Sequence, residues 1–492
     1  MELDDSVCYR ALATRDARFD GRFFVAVRTT GIYCRPICPA RTPKRENVTF
    51  FSCAAAAEAA GFRPCLRCRP ETSPGTPAWN GTSAVVSRAL RLIEDGAADD
   101  GGSETLPAQV GLGERQLRRL FQRHLGASPD EIARARRLHF AKTLIDETAL
   151  GMTDVAISTG FRNIRELNHS IRKTFGRSPR ELRRQRADGR GIAAPSARGA
   201  LTLRLSYRPP LEWRALLEFF RERATPGVEA VGEESYRRTI VWGGVPGWIE
   251  VSPAERGAQL LLRAELPTVR GLIQLAERVR RMFDLNADPL RVAAGLSREP
   301  YLRKLVRARP GLRVPGAWEG FELAVRAILG QQITVRAATT LAGRLVQRFG
   351  QSVESSVPSL THLFPDPQTL ANADLTGLGL TRSRAETIRG LARAVAAGTL
   401  TLDASRGLED GVARLAALPG IGEWTAQYVA LRAFGEPDAF PVGDLGLRRA
   451  LATGNGMPST HAVARIAEAW RPWRAYAAIH LWTSAPAKEK RS

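Results

Sequence analysis

Apolar positions along this chain change their spacing from segment to segment, and the changes mark out its elements. Between residues 80 and 186 they recur at helical intervals. Ile164, Leu167 and Ile171 form a stripe expected to face a core. Two segments echo each other there. Leu117-Arg118-Arg119-Leu120-Phe121 leads to Leu125-Gly126-Ala127-Ser128-Pro129, and Ile164-Arg165-Glu166-Leu167 leads through Ile171 to Phe175-Gly176-Arg177-Ser178-Pro179. The Gly-x-Ser-Pro marks recur at a period of 50. Each segment follows a small-residue turn, Val110–Gly113 or Ser158–Phe161, so the pattern predicts two helix-turn-helix units. From residue 200 the period shortens to two: Leu201, Leu203, Leu205 and Tyr207 alternate with polar residues. Further short strands are predicted over 238–243, 247–251 and 259–266, with helices near 213–223 and 269–283. After residue 290 the pattern is helical again. Phe321–Thr334 closes one helix and opens the next, and Leu418-Pro419-Gly420-Ile421-Gly422 forms a tight turn feeding an amphipathic helix. Two stretches lack any period. Thr72–Gly81 reads as a Pro/Gly/Ser-rich joint, and Ala187–Gly199 as a flexible linker.

The expected architecture is multidomain and mainly α. It has a small α+β module over 1–75, the helix-turn-helix pair over 80–186, the linker over 187–199, an α+β lead-in over 200–290 and an all-helical core over 291–492. At 492 residues the chain is too long for one core.

Charge narrows the partner. The net charge is +22 and the pI about 10.8, which points to a polyanion, with double-stranded DNA the first candidate. No run of about 18 uncharged apolar residues occurs, so neither a membrane span nor a membrane partner is expected. The start, MELDDSVCYR, has no apolar stretch of the signal-peptide kind. A cytoplasmic location at the nucleoid is expected.

All six cysteines precede residue 69. Cys34-x3-Cys38 and Cys65-x2-Cys68 form two close pairs separated by 26 residues, a spacing suited to one tetrahedral zinc ion. Cys8 and Cys53 have no partner at ligand spacing and are expected to be buried small hydrophobes. The residues alone permit a purely structural zinc staple.

In the Leu418–Gly422 turn, Gly420 and Gly422 are expected to adopt backbone conformations closed to side chains. The amides at the following helix start can face a phosphate, gripping a DNA backbone without reading sequence. Asp444 follows in Phe440-Pro441-Val442-Gly443-Asp444. A lone Asp after Gly also suits a helix N-cap. On the helix-turn-helix units, Arg115, Gln116, Arg118 and Arg119, and Arg162, Asn163, Arg165, Asn168 and His169, sit opposite the apolar stripes. They suit either a major groove or a solvated face.

Several of these words resemble known families. Phe24–Arg41, Asn47–Phe51 and Ala60–Cys68 resemble the N-terminal domain of the Ada methylation-response regulators. That resemblance implies that Cys34, a zinc thiolate, takes the methyl group of a DNA methylphosphotriester irreversibly, and that Thr30, Arg41 and Arg63 contact the DNA backbone. Four thiolates on Zn²⁺ carry a formal charge of about −2, and methylation leaves about −1. A unit charge at about 4 Å from a phosphate is worth roughly 1 kcal/mol in water and 4 at an effective dielectric of 20, so transfer should strengthen DNA binding. The two helical units resemble the AraC-type DNA-binding domain. The second, GFRNIRELNHSIRK, departs from that family's GFxSxSxFxRxFK wording. Regulation of a promoter through RNA polymerase follows as an expectation.

Residues 418–444 and their flanks resemble the helix-hairpin-helix DNA glycosylases of the AlkA type. The resemblance implies a flipped base, Asp444 as the catalytic carboxylate, and Trp424, Tyr428 and Trp482 as pocket aromatics. It also places Gln331 near the lesion and Gln332 where the family has a leucine wedge. Where relatives that cut the strand carry a lysine, this chain has Trp424, so a monofunctional enzyme for 3-methyladenine-type lesions is implied. With no cysteine after Cys68, neither an iron–sulfur cluster nor the guanine-methyl acceptor domain of Ada is expected. The order of modules is that of an Ada–AlkA fusion, expected to act as a monomer in the adaptive response. The rival reading is a DNA-binding regulator whose C-terminal half is a catalytically silent clamp. Trp470, Trp473 and Tyr476 are expected in the core, and the six histidines form no metal motif.

Overall fold

A computed structural model describes residues 4–74, 84–98, 105–187, 200–403, 405, 407–452 and 456–484. Of the expected linker 187–199 only Ala187, the end of the helix Pro179–Ala187, is described, and residues 188–199 and most of the joint, 75–81, lie outside the described residues. The chain divides into two compact units. One comprises Met1–Pro209, Val241–Arg280 and Leu285–Ala287, and the other Pro210–Ile240, Arg281–Asp284 and Asp288–Ser492.

The first unit opens on a small sheet. Strands β1 (Phe24–Val27), β2 (Ile32–Cys34), β3 (Val48–Phe51) and β4 (Arg63–Pro64) lie in the order β3-β1-β2-β4. Strand β1 is buried on both faces. Phe23 and Val25 pack with Cys8, Leu12 and Val48, while Phe24 and Ala26 pack with Tyr33 and Ala57. Cys8 and Cys53 are buried, as expected, and desolvation pushes each thiol up to about 11. The helix Ala54–Ala59 shares a core with the helices that follow, where Ala55 and Ala56 join Ile93, Leu117, Phe121 and Leu125.

The two helix-turn-helix units are built by the same local signals. Helices Glu114–Leu125 and Ile164–Phe175 each end on a left-handed glycine, Gly126 at φ 72° and Gly176 at φ 70°. The serine of each Gly-x-Ser-Pro then caps the next helix. Ser128 receives Glu131 N and returns its own N–H to the Glu131 carboxylate, and Ser178 does the same with Glu181. Ile164 departs from expectation. It is 39% exposed, because it is the first residue of its helix, before the turn where Leu167 and Ile171 reach the core.

In this unit β5 (Leu201–Ser206) pairs antiparallel with a later strand, Gln259–Glu265, which pairs in turn with Val245–Pro253. In the second unit Glu229–Val231, a short strand the alternation did not reveal, pairs antiparallel with Tyr236–Arg238 of the strand Tyr236–Trp242. The helix Gly320–Leu329 is the hub of the helical core. All but two of its residues are buried, and it packs against Val335–Phe349, Arg382–Ala396 and Glu423–Arg432. The last of these was expected to be amphipathic, but it runs through the interior. Thr425, Ala426, Val429, Ala430, Leu431 and Arg432 are all buried. Trp470, Trp473 and Tyr476 lie in the core as expected.

Candidate functional site

Strand pairing assembles the cysteines. Parallel pairing of β2 with β4 sets Tyr33 beside Pro64, and Cys65 N donates to Tyr33 O at 3.0 Å. Cys34 and Cys65 therefore leave adjacent strand ends together. Tight turns fold the second member of each pair back: Cys38 N donates to Arg35 O at 3.1 Å, and Arg69 N to Cys65 O at 3.0 Å. The four sulfurs lie within 4.8 Å of one another. A tetrahedral zinc with bonds of about 2.3 Å needs edges of about 3.8 Å, so the donor set fits that ion. Arg35 braces the cluster, giving its backbone N–H to Cys68 Sγ at 3.4 Å and its guanidinium to Asp20, Cys68 O and Thr72 Oγ1. Cys34 is half-buried, and Thr30, Arg41 and Arg63 are exposed.

A polar path leads away from this cluster within the same unit. Tyr33, next to Cys34, donates to Glu58 Oε1 at 2.8 Å, and Glu58 holds His139 Nε2 at 2.7 Å. Burial opposes a charge on His139, but Glu58 outweighs it and holds the imidazole above its ordinary value. Just after Cys68, Arg69 pairs with Glu71, Asp146 and Glu147, and Lys142 with Asp146.

On the helices Glu114–Leu125 and Ile164–Phe175, Arg115, Gln116, Arg118, Arg119, Arg165, Asn168 and His169 are exposed, as is Arg162 just before the second. Asn163 caps its helix, accepting from Glu166 N at 2.9 Å. That bond occupies a lone pair of its side-chain oxygen.

The second unit carries a cavity of about 380 Å³, lined among others by Trp424, Tyr428, Asp444 and Trp482. Helix periodicity places its wall. Trp424 and Tyr428, one turn apart, stack with centroids 5.3 Å apart and planes 8° from parallel. Asp444 is both N-cap and pocket group. Its Oδ1 accepts Leu447 N and Trp482 Nε1, each at 2.9 Å, and its Oδ2 accepts Trp424 Nε1 at 2.9 Å. A carboxylate offers about four lone-pair directions, so one on Oδ2 is left. Gly446 permits this crowding, since a Cβ there would lie 3.0 Å from Asp444 Oδ1.

The hairpin joins Leu408–Ala416 to Glu423–Arg432. Gly420 lies at φ 86°, and a Cβ there would fall 1.9 Å from Thr387 Oγ1, so glycine is required. Gly422 departs from expectation. At φ −86° with open space around it, it simply caps the next helix. Ile421 is buried between the two exposed glycines and anchors the loop. Gln331 binds this loop, donating to Gly420 O at 3.0 Å and Thr425 Oγ1 at 3.1 Å. Gln332 is exposed, with a left-handed φ of 56°. Sequence reasoning missed Phe219, Ile333 and Arg432, which also line the cavity. Nothing local marks Phe219, which a distant segment supplies, whereas helix spacing from Trp424 and Tyr428 could have placed Arg432.

Family models match four stretches in the order of these modules. They are the metal-binding domain of Ada over 7–71, a helix-turn-helix domain over 106–185, the AlkA N-terminal domain over 202–319, and the HhH-GPD superfamily of base excision DNA repair proteins over 325–475. A Mycobacterium tuberculosis protein described as a probable bifunctional transcriptional activator/DNA repair enzyme AlkA is 44% identical over 98% of this chain and 97% of its own. The chain belongs to the Ada–AlkA fusion family. DNA-3-methyladenine glycosylase 2 of Escherichia coli is 36% identical over 56% of this chain and 95% of its own length. The solved 3-methyladenine DNA-glycosylase of Archaeoglobus fulgidus matches 58% of this chain and 99% of its own, at a TM-score of 0.52 and 26% identity. Family membership makes this a DNA-repair and DNA-binding regulatory protein with a zinc-binding module. No helix among the described residues is long and apolar enough to cross a membrane.

Proposed function

We propose that the chain couples an alkylation sensor and transcription activator to a monofunctional glycosylase for alkylated purines of the 3-methyladenine type. The observation that carries the enzymatic half is Asp444, held by three N–H donors at an aromatic pocket with one lone pair left open. An N3- or N7-alkylated purine extruded from the duplex already carries positive charge. When its C1′–N bond breaks, the base takes the bonding pair and leaves neutral, and the sugar becomes oxocarbenium-like. Asp444 stabilises that cation and orients the water that adds to C1′, whose proton passes to the carboxylate and then to solvent. Trp424 offers no amine for a Schiff base, so the strand is left uncut.

For the sensor half, Cys34, Cys38, Cys65 and Cys68 would hold one zinc ion, which keeps their sulfurs deprotonated at neutral pH. Cys34 Sγ attacks the methyl carbon of a phosphotriester. The S–C bond forms as the C–O bond breaks, and the phosphate leaves as a phosphodiester anion. Thr30, Arg41 and Arg63 would hold the backbone, and the exposed arginines of the recognition helices would hold promoter DNA for RNA polymerase. The protein would act as a monomer in the cytoplasm.

The test is incubation with methylated duplex DNA, followed by chromatography of released bases and location of radiolabelled methyl on the protein. Release of 3-methyladenine or 7-methylguanine, with label on Cys34 that is lost in Cys34→Ala, is expected. Label without base release would leave the regulator with a silent clamp.

A further inference from the structure

Arg432 puts a positive charge in the lining of the base pocket, and no carboxylate among the described residues pairs with it. Trp424, Tyr428 and Arg432 stand at one-turn intervals on one helix, so Arg432 lies about 12 Å along the axis from Trp424, the residue whose indole donates to Asp444. Arg432 is 5% exposed. Its guanidinium donates to Pro315 O at 2.8 Å, Gly316 O at 2.9 Å and Tyr428 Oη at 2.9 Å, and none of these acceptors is an anion. It lies 4.8 Å from the Phe219 ring centroid and 5.5 Å from that of Tyr428. Three nearby acids are committed elsewhere. Glu229 and Glu322 pair with Arg326, Glu322 also pairs with Arg238, and Glu222 pairs with Arg223 near the rim. Burial would push the Tyr428 phenol up, yet Arg432, with Arg223 and Arg326, holds it below its ordinary value. The field of these cations therefore reaches the wall against which a base would stack.

We propose that Arg432 sets up a charge gradient across the scissile bond, positive at its guanidinium and negative at Asp444, which drives positive charge from the base to the sugar. The inference rests on the glycosylase reading above. A cationic base is repelled by Arg432 while its C1′–N bond is intact, against the attraction of the aromatic walls. As the bond breaks, the base takes the electron pair and becomes neutral, so the repulsion vanishes. The positive charge appears on the sugar, beside Asp444. An interaction that disfavours the ground state and is absent after bond cleavage raises the rate at saturation at the expense of binding. Arg432 thus acts on specificity and rate through its field. At an effective dielectric near 20, a unit charge about 10 Å away changes an equilibrium by roughly tenfold.

The experiment measures single-turnover release from a duplex holding one 7-methylguanine, using the full chain with Arg432→Gln and Arg432→Lys. For Arg432→Gln the expected result is a roughly tenfold slower rate at saturation together with a lower half-saturating enzyme concentration. Arg432→Lys keeps the charge and should stay near wild type in both. Slower release with unchanged or weaker binding, or equal loss in both variants, would assign Arg432 to packing alone and overturn the proposal. A variant-free measurement guards against misfolding. Inhibition of wild type at pH 6 by free 7,9-dimethylguaninium, which is a cation until it loses its N1 proton around neutral pH, should be about tenfold weaker than by neutral 7-methylguanine, and equal or stronger inhibition by the cation would overturn the proposal. Wild type that releases no base at all would instead defeat the glycosylase reading, which keeps the two failures apart.

Discussion

Asp444→Asn separates the charge of the carboxylate from its place in the fold. The helix Leu445–Ala450 should survive the change, since asparagine caps as well as aspartate and Leu447 N can still donate to the remaining oxygen. Trp482 Nε1 donates to that same oxygen and keeps its partner. The new amide nitrogen then occupies the place of Oδ2, where it faces the indole N–H of Trp424 donor to donor. Losing that one bond costs about 1 kcal/mol of stability. The effect on reaction is larger. A sugar cation about 4 Å from a carboxylate, at an effective dielectric near 20, is stabilised by about 4 kcal/mol. At 1.36 kcal/mol per tenfold, that amounts to roughly a thousandfold in rate.

Single-turnover release of 7-methylguanine at saturating enzyme is the assay, with thermal unfolding as the control for structure. Trp424→Phe is the companion variant. It removes one donor and keeps the charge, so it should lose far less rate than Asp444→Asn. Release by Asp444→Asn within tenfold of wild type, in a folded protein, would refute the electrostatic role of this carboxylate.

Two further predictions rest on the same unit. Gly420→Ala places a methyl group 1.9 Å from Thr387 Oγ1 at φ 86°, and should cost at least about 2 kcal/mol in denaturant unfolding and weaken binding to undamaged duplex. Gly422→Ala, with open space around it, should cost less than about 1 kcal/mol, and equal losses in the two variants would contradict the hairpin geometry. Burial, aided by Arg309, pushes the His480 imidazole down to about 4. A base with a depressed value binds fewer protons when folded, so its contribution is whole above pH 6.5 and is lost as pH falls towards 4, about 3 kcal/mol in all. Wild type should therefore lose stability relative to His480→Gln on going from pH 7 to pH 4.5, and parallel unfolding midpoints would rule this out.

How much of this was legible in the sequence follows from how far each determinant reaches along the chain. The helix-turn-helix units were readable because their signals are local. A left-handed glycine, a serine cap and a glutamate three residues later lie within six positions, twice over. The cysteine spacing was readable as a metal site, but what brings Cys65 beside Cys34 is parallel pairing with a two-residue strand, Arg63–Pro64, too short to leave a period. The strand Glu229–Val231 was missed for the same reason. Gln331 was placed near a lesion by its neighbours in sequence, whereas its side chain is spent on a loop 89 residues away.

Arg432 marks the limit of such reading. Read along the chain, it is a cation in the last turn of a helix, where the dipole alone would account for it. Its meaning depends on two carbonyls more than a hundred residues earlier and on the absence of any ion pair to it among the described residues. Helix spacing could have put it on the face of Trp424 and Tyr428, since 424, 428 and 432 are successive turns. That the face would be walled in, and the charge left unneutralised, is decided by Phe219, Glu229 and Glu322, whose other partners were not readable from the chain. A buried cation is costly unless its donors are satisfied. The fold meets that cost for Arg432 with neutral acceptors rather than an anion, and so leaves its field free to act on whatever base enters the pocket.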